Sequence, residues 1–132
     1  MKKTLFGFGL LFAAVGAFAS PKGFTIVGTD NTGATWSYDA TKTKDLVLER
    51  PKRDNPSEMA HLPVTVFYVA IDMGDRHAEG YGAALCKVPG LAVFSPDPSY
   101  DYSDLHPDEL RLQKWAPEEV PAQMLSHVCA HQ

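Results

Sequence analysis

Val64-Thr65-Val66-Phe67-Tyr68-Val69-Ala70-Ile71 is the stretch on which the fold turns. It is built from β-branched and aromatic residues, holds no glycine or proline, and is apolar almost throughout. Such a run predicts a central strand covered on both faces. Towards the C-terminus, Met73-Gly74-Asp75-Arg76-His77 has turn chemistry, and Tyr81 to Val88 reads as a further strand that carries Cys86 into the sheet. Gly80 and Gly82 mark a bulge or a close approach on it. Pro89-Gly90 turns the chain again, and Leu91-Ala92-Val93-Phe94 is a short strand.

Towards the N-terminus, residues 51–63 hold Pro51, Pro56 and Pro63 among several charges, and predict an exposed loop, since proline removes ladder donors. Leu46-Val47-Leu48-Glu49-Arg50 predicts a strand stopped by Pro51. Before it, Phe24–Thr29 and Ala34–Asp39 flank Asp30-Asn31-Thr32-Gly33, a turn sequence. They predict a hairpin with Trp36 and Tyr38 on one face. Ser95 to Asp104, with Pro96, Pro98, Tyr100, Tyr102 and three aspartates, predicts a rigid acidic loop.

The last quarter changes character. Residues 105–115 fit either a short helix opened by Pro107-Asp108-Glu109 or a strand alternating through Leu110, Leu112 and Lys114. After Pro117 a helix is predicted, with Glu118 and Glu119 at its N-terminus and Pro121 in its first turn. Val120, Met124, Leu125, Val128 and Cys129 share one side of it. The expected fold class is therefore α+β: a small antiparallel sheet meander with a C-terminal helix packed on it.

Residues 1–19 predict a secretory signal of bacterial type. Lys2 and Lys3 form a positive n-region, Leu5 to Phe18 an apolar core, and Ala17-Phe18-Ala19 a peptidase site. No cysteine adjoins the cut, so no lipid anchor is expected. Residues 20–132 are then one domain, expected in the periplasm or at the cell surface. The formal charge of −4 becomes about −6 without the two signal lysines. With no basic stripe, nucleic acid is not an expected partner. Two cysteines in an exported chain predict a disulfide, Cys86–Cys129, in preference to free thiols or half a metal site. It would pin the helix to the sheet.

Chemistry is sparsely signalled. No G-x-S-x-G, phosphate-loop glycine pattern or cysteine beside a partner histidine occurs, so a non-catalytic protein without cofactor is expected. His127 and His131 have zinc-compatible i, i+4 spacing but lack the glutamate of H-E-x-x-H, and a solvated pair at a helix end is expected instead. Asp72, Asp75, His77 and Glu79 cluster about one turn, and Asp97, Asp101 and Asp104 lie in one loop; neither spacing matches a calcium loop. No metal site is predicted. Tyr100, Asp101 and Tyr102 are the candidate partner-binding loop, because burial is not forced there and exposed tyrosine suits a protein contact. A packed loop clasp is the equal alternative.

The Trp36-Ser37-Tyr38-Asp39 hairpin edge, the cysteine closing a mid-chain strand, and the Trp115…Val120-Pro121…Leu125…Val128-Cys129 pattern resemble the surface-adhesin protein E family. The resemblance implies a small antiparallel sheet disulfide-linked to a C-terminal helix, with Cys86 and Cys129 as the matched residues. It also implies a surface protein that binds host extracellular-matrix or serum proteins. The alternative expectation is a periplasmic structural or inhibitory partner of an envelope protein. The oligomeric state is not legible.

Overall fold

The computed structural model describes residues 23–130. The expected signal, residues 1–19, lies outside the described residues, as does His131. Among the described residues, six strands follow one another in space in chain order, each antiparallel to the next. They are β1 (Phe24–Thr29), β2 (Thr35–Pro51), β3 (Met59–Asp72), β4 (His77–Ala84), β5 (Leu91–Phe94) and β6 (Gln113–Lys114). A single helix, α1 (Val120–Cys129), closes the described chain. The meander is as expected, but the sheet is curled rather than a plain small sheet.

The curl originates in β2. Asp39 pairs with Tyr68, and the next paired residue, Lys44, faces Val66, so five steps on β2 match two on β3. The three surplus residues make a wide bulge that bends the strand. Because side chains alternate with period two, an odd surplus also exchanges the faces. Trp36 and Tyr38 therefore point to the helix side with Phe67 and Val69, whereas Leu46 and Leu48 point to the opposite side with Val64 and Val66.

Each face has its own core. On one, Trp36, Tyr38, Phe67, Val69 and Ala92 pack against Met124, Leu125 and Val128 of α1. Phe67, Met124 and Val128 are fully buried, each contributing roughly 2 kcal/mol of apolar transfer energy. Trp36, Phe94 and Trp115 meet edge-on or tilted at 5.3–6.4 Å, the offset geometry their ring quadrupoles prefer. On the other face, Leu48, Val64, Val66 and Ala83 lie under Tyr102 and Leu110, supplied by the segment between β5 and β6. The middle of β3 is thus covered on both faces, as its apolar run predicts.

The disulfide joins Cys86 to Cys129 across 43 residues of sequence. Cys86 sits two residues beyond the end of β4, not within it, so the strand expected over Tyr81–Val88 is corrected to His77–Ala84. The hydrogen bonds Leu85 N to Leu91 O and Val88 N to Leu85 O turn the chain there instead. Gly80 and Gly82 mark close approaches, as expected. A Cβ on Gly80 would overlap Ser95 O, and one on Gly82 would lie 2.5 Å from Phe67 Cζ.

Two expectations about residues 46–63 are corrected. Met59–Pro63, expected in a loop over 51–63, belongs to β3, with Pro63 opposite Val47. The β3–β4 ladder begins only at Thr65, so Pro63 stands where β3 has one ladder partner among the described residues, and its missing donor is tolerated. Leu46–Arg50 is not a separate strand but the second half of β2, which ends at Pro51 as expected, with Pro51 and Met59 as the last pair of the ladder. The remaining loop folds on itself through Lys52 N to Glu58 O and Glu58 N to Asn55 O. Residues 105–115 divide between both expected forms, a 3-10 turn at Pro107–Glu109 and the two-residue β6.

Candidate functional site

Four aspartates shape the turns and loops that border the sheet. Asp30, Asp39, Asp97 and Asp101 each stand two residues before a Thr or Ser: Thr32, Thr41, Ser99 and Ser103. In every case one carboxylate oxygen accepts both the backbone N–H (2.9–3.0 Å) and the hydroxyl (2.5–2.7 Å) of that residue. These side chains imitate a backbone turn. The Thr32 hydroxyl bond leads the set that holds the Asp30 carboxyl down at about 2, and the Ser103 hydroxyl bond leads those that hold Asp101 low. Asp97 and Asp101 of the 95–104 loop are therefore turn formers. The repeated D-x-[S/T] spacing is the sequence signal that assigns them this role.

The candidate residues Tyr100, Asp101 and Tyr102 separate into two roles. Tyr102 is buried, 3% exposed, and its hydroxyl donates to Tyr81 O at 3.1 Å. Burial first, and the neighbouring Tyr100 second, push its hydroxyl up to about 12. Of the two alternatives, Tyr102 takes the packed clasp. Tyr100 rests edge-on against it at 4.8 Å between ring centres and remains 39% exposed. Asp101 is exposed beside it.

Tyr100, Asp101 and the bulged part of β2 form the two walls of a cleft of about 400 Å³. Thr41, Lys42, Thr43 and Lys44 make one wall, and Pro98–Ser103 the other, over a floor of Leu46, Val66 and Tyr81. The floor is apolar because the face exchange in β2 turns Leu46 to this side. Thr43 Oγ1 is enclosed and has no hydrogen-bond partner among the described residues.

Beside the cleft lies a chain of paired polar groups. Lys42 Nζ stands 4.3 Å above the Tyr68 ring, an attraction to the negative ring face. Tyr68 donates to Glu79 Oε1 at 2.9 Å, and Glu79 Oε2 is 2.6 Å from His77 Nε2. His77 Nδ1 is 3.7 Å from Asp72. The hydrogen bond to Glu79, against burial and with the Glu79 and Asp72 charges, raises the His77 imidazole above its ordinary value. The same bond leads the causes that lower Glu79. Burial, then the Glu79 bond, lifts Tyr68 to about 12.

The turn thus brings together Asp72, His77 and Glu79, while the Asp75 amide donates to Met73 O within the turn. Among the described residues no group of three or more His, Cys, Asp or Glu side chains is placed to hold a metal ion. His127 lies by the Tyr38 ring, 6.3 Å between centres. No helix among the described residues is long and apolar enough to cross a membrane. No known family, curated protein or solved structure matches the chain.

Proposed function

We propose that this chain is an exported, non-catalytic binding module, adhesin-like in its action, that engages a protein partner such as a host matrix or serum protein. The observation that carries the reading is the cleft. It sets a partly exposed tyrosine and an acidic turn opposite two lysines, on a sheet whose loops are fixed from beneath. Tyr102 anchors one wall to the sheet, and Asp39 folds the other. A pre-shaped face loses little conformational entropy on binding, and tyrosine supplies contact area with few rotatable bonds. The disulfide supports export, because such bonds persist in oxidising compartments.

Protease treatment and surface labelling of intact producing cells test this reading. Labelling of the protein on intact cells, with saturable binding to immobilised matrix proteins that Tyr100→Ala weakens, is the expected result. Protection until the outer envelope is permeabilised would remove the host-ligand reading and leave a periplasmic partner in its place.

A further inference from the structure

β1 pairs with β2 only as far as Asp39, whereas β3 follows β2 to Pro51. Over Leu46–Arg50, β2 therefore has one ladder neighbour among the described residues, and its other edge is open. A proline shows which groups face that edge. In an antiparallel ladder, two opposed residues exchange both backbone bonds or neither. Val47 stands opposite Pro63, which has no N–H to give. The pair is thus of the second kind, and Val47 N–H and C=O point away from β3. By the period of two, Glu49 and Pro51 face the same way. Their carbonyls agree: Glu49 O accepts from the Arg50 guanidinium at 2.7 Å, and Pro51 O from His106 Nε2 at 2.9 Å. Val47 N–H, Val47 C=O and Glu49 N–H also point outward, and none has a partner among the described residues. Beside them the Val47 side chain is 50% exposed. An extended segment laid along this edge pairs all three groups and covers the valine.

The charges oppose a second copy of this chain as the occupant. Lys44-Asp45-Leu46-Val47-Leu48-Glu49-Arg50 is mirror-symmetric in charge about Val47. Two copies paired antiparallel on Val47 set Asp45 against Glu49 and Lys44 against Arg50, and like charges directly opposite are destabilising. Moving the two-fold centre to Leu46 or Leu48 sets charged residues against apolar ones. A strand of the inverse pattern, with bases flanking an apolar centre and acids outside them, matches at every charged position. We propose that the open edge of β2 at Leu46–Arg50 receives an extended segment of that pattern from a protein partner, as an added antiparallel strand. This edge is a second surface, apart from the cleft rim at Tyr100, and it goes beyond the reading of the cleft.

NMR titration of the disulfide-bonded protein with two end-capped peptides tests it. One is Glu-Lys-Thr-Val-Thr-Lys-Glu, the inverse of the edge, and the other is its charge-swapped form, Lys-Glu-Thr-Val-Thr-Glu-Lys. With the first, amide shift changes should centre on residues 46–50, and exchange of the Val47 and Glu49 amides with solvent should slow. The swapped peptide should bind at least about fivefold more weakly. Val47→Pro removes the outward N–H and no bond to β3, so it should weaken the first peptide at least about fivefold while the folded spectrum is kept. Tyr100→Ala should leave peptide binding unchanged, which separates this edge from the cleft. Absence of shifts at residues 46–50 with either peptide, or equal responses to both, would overturn the assignment. A concentration-dependent dimer in sedimentation that Val47→Pro abolishes would also overturn it, giving the edge to a second copy.

Discussion

Tyr100 and Tyr102 stand two residues apart in the same acidic loop, yet their surroundings predict opposite responses to truncation. Tyr102→Ala removes a buried ring and the donor to Tyr81 O, which should cost about 3–5 kcal/mol. Tyr102→Phe, which keeps the ring, should cost about 1 kcal/mol. Tyr100→Ala should change stability by no more than about 0.5 kcal/mol. Urea unfolding of the three variants checks this, and equal losses for both alanines would refute the division of roles. Asp30 carries a second prediction. Its other oxygen accepts from Trp36 Nε1 at 2.9 Å, so it ties the first hairpin turn to the core. Asp30→Ala should cost about 1–3 kcal/mol and change the near-ultraviolet circular dichroism of Trp36. Folding lowers its carboxyl to about 2 from 3.8. Its stabilisation is therefore present in full above the unfolded value and disappears as pH falls from about 4 towards 2. Acid titrations of wild type and D30A should converge there; a constant gap would contradict the linkage.

At the scale of elements, the close contacts of β4 and the composition of β2 matter most. Gly82 lies against the Phe67 ring and Val93 O, so an added Cβ must displace the most deeply buried aromatic of the core. Gly82→Ala should destabilise by about 1–3 kcal/mol, read as a lower melting temperature with the β-sheet spectrum kept. A neutral result would mean that Phe67 yields freely. The β2 bulge shows why the strand plan was only half legible. Trp36, Tyr38, Leu46 and Leu48 all carry even numbers and keep one alternation, yet the three surplus residues send the second pair to the other face. Nothing in residues 40–43 announces that count, because the extra length is measured against β3, a partner more than twenty residues away. Pro63 misled for a related reason: proline bars a ladder position with partners on both sides, and Pro63 stands where β3 has one ladder partner among the described residues.

The whole molecule is a sheet with two unlike coverings. A helix held by a covalent link packs on one face, and an irregular strap pinned by polar contacts packs on the other. Arg50 donates to Ser103 O at 3.0 Å, His106 meets Pro51 O at 2.9 Å, and Arg53 lies 3.5 Å from both Asp108 and Glu109. The last pairs are exposed and contribute little individually. The disulfide is of greater weight. Closing its 43-residue separation stabilises by about 4 kcal/mol in the chain-entropy treatment. Cys129→Ser should lower stability by a few kcal/mol, with the loss largest in the α1 amides by hydrogen exchange. An unchanged melting temperature, or free thiols in the natively produced protein by non-reducing mass spectrometry, would contradict this.

The sequence by itself determined the order and kind of nearly every element: the first hairpin, the central strand, the short β5, the C-terminal helix and its pairing to Cys86. The elements rest on local causes, namely turn residues and periodicity, that act within a few residues, and the link to Cys86 follows from there being only two cysteines. The parity of β2, the ladder position of Pro63, the clasp made by Tyr102 and the cleft between Thr41–Lys44 and Pro98–Ser103 were decided only in the tertiary structure. The two cleft walls lie more than fifty residues apart in sequence, and their approach depends on how far β2 bends against β3. That bend is a property of the pairing of two strands, and neither strand encodes it alone.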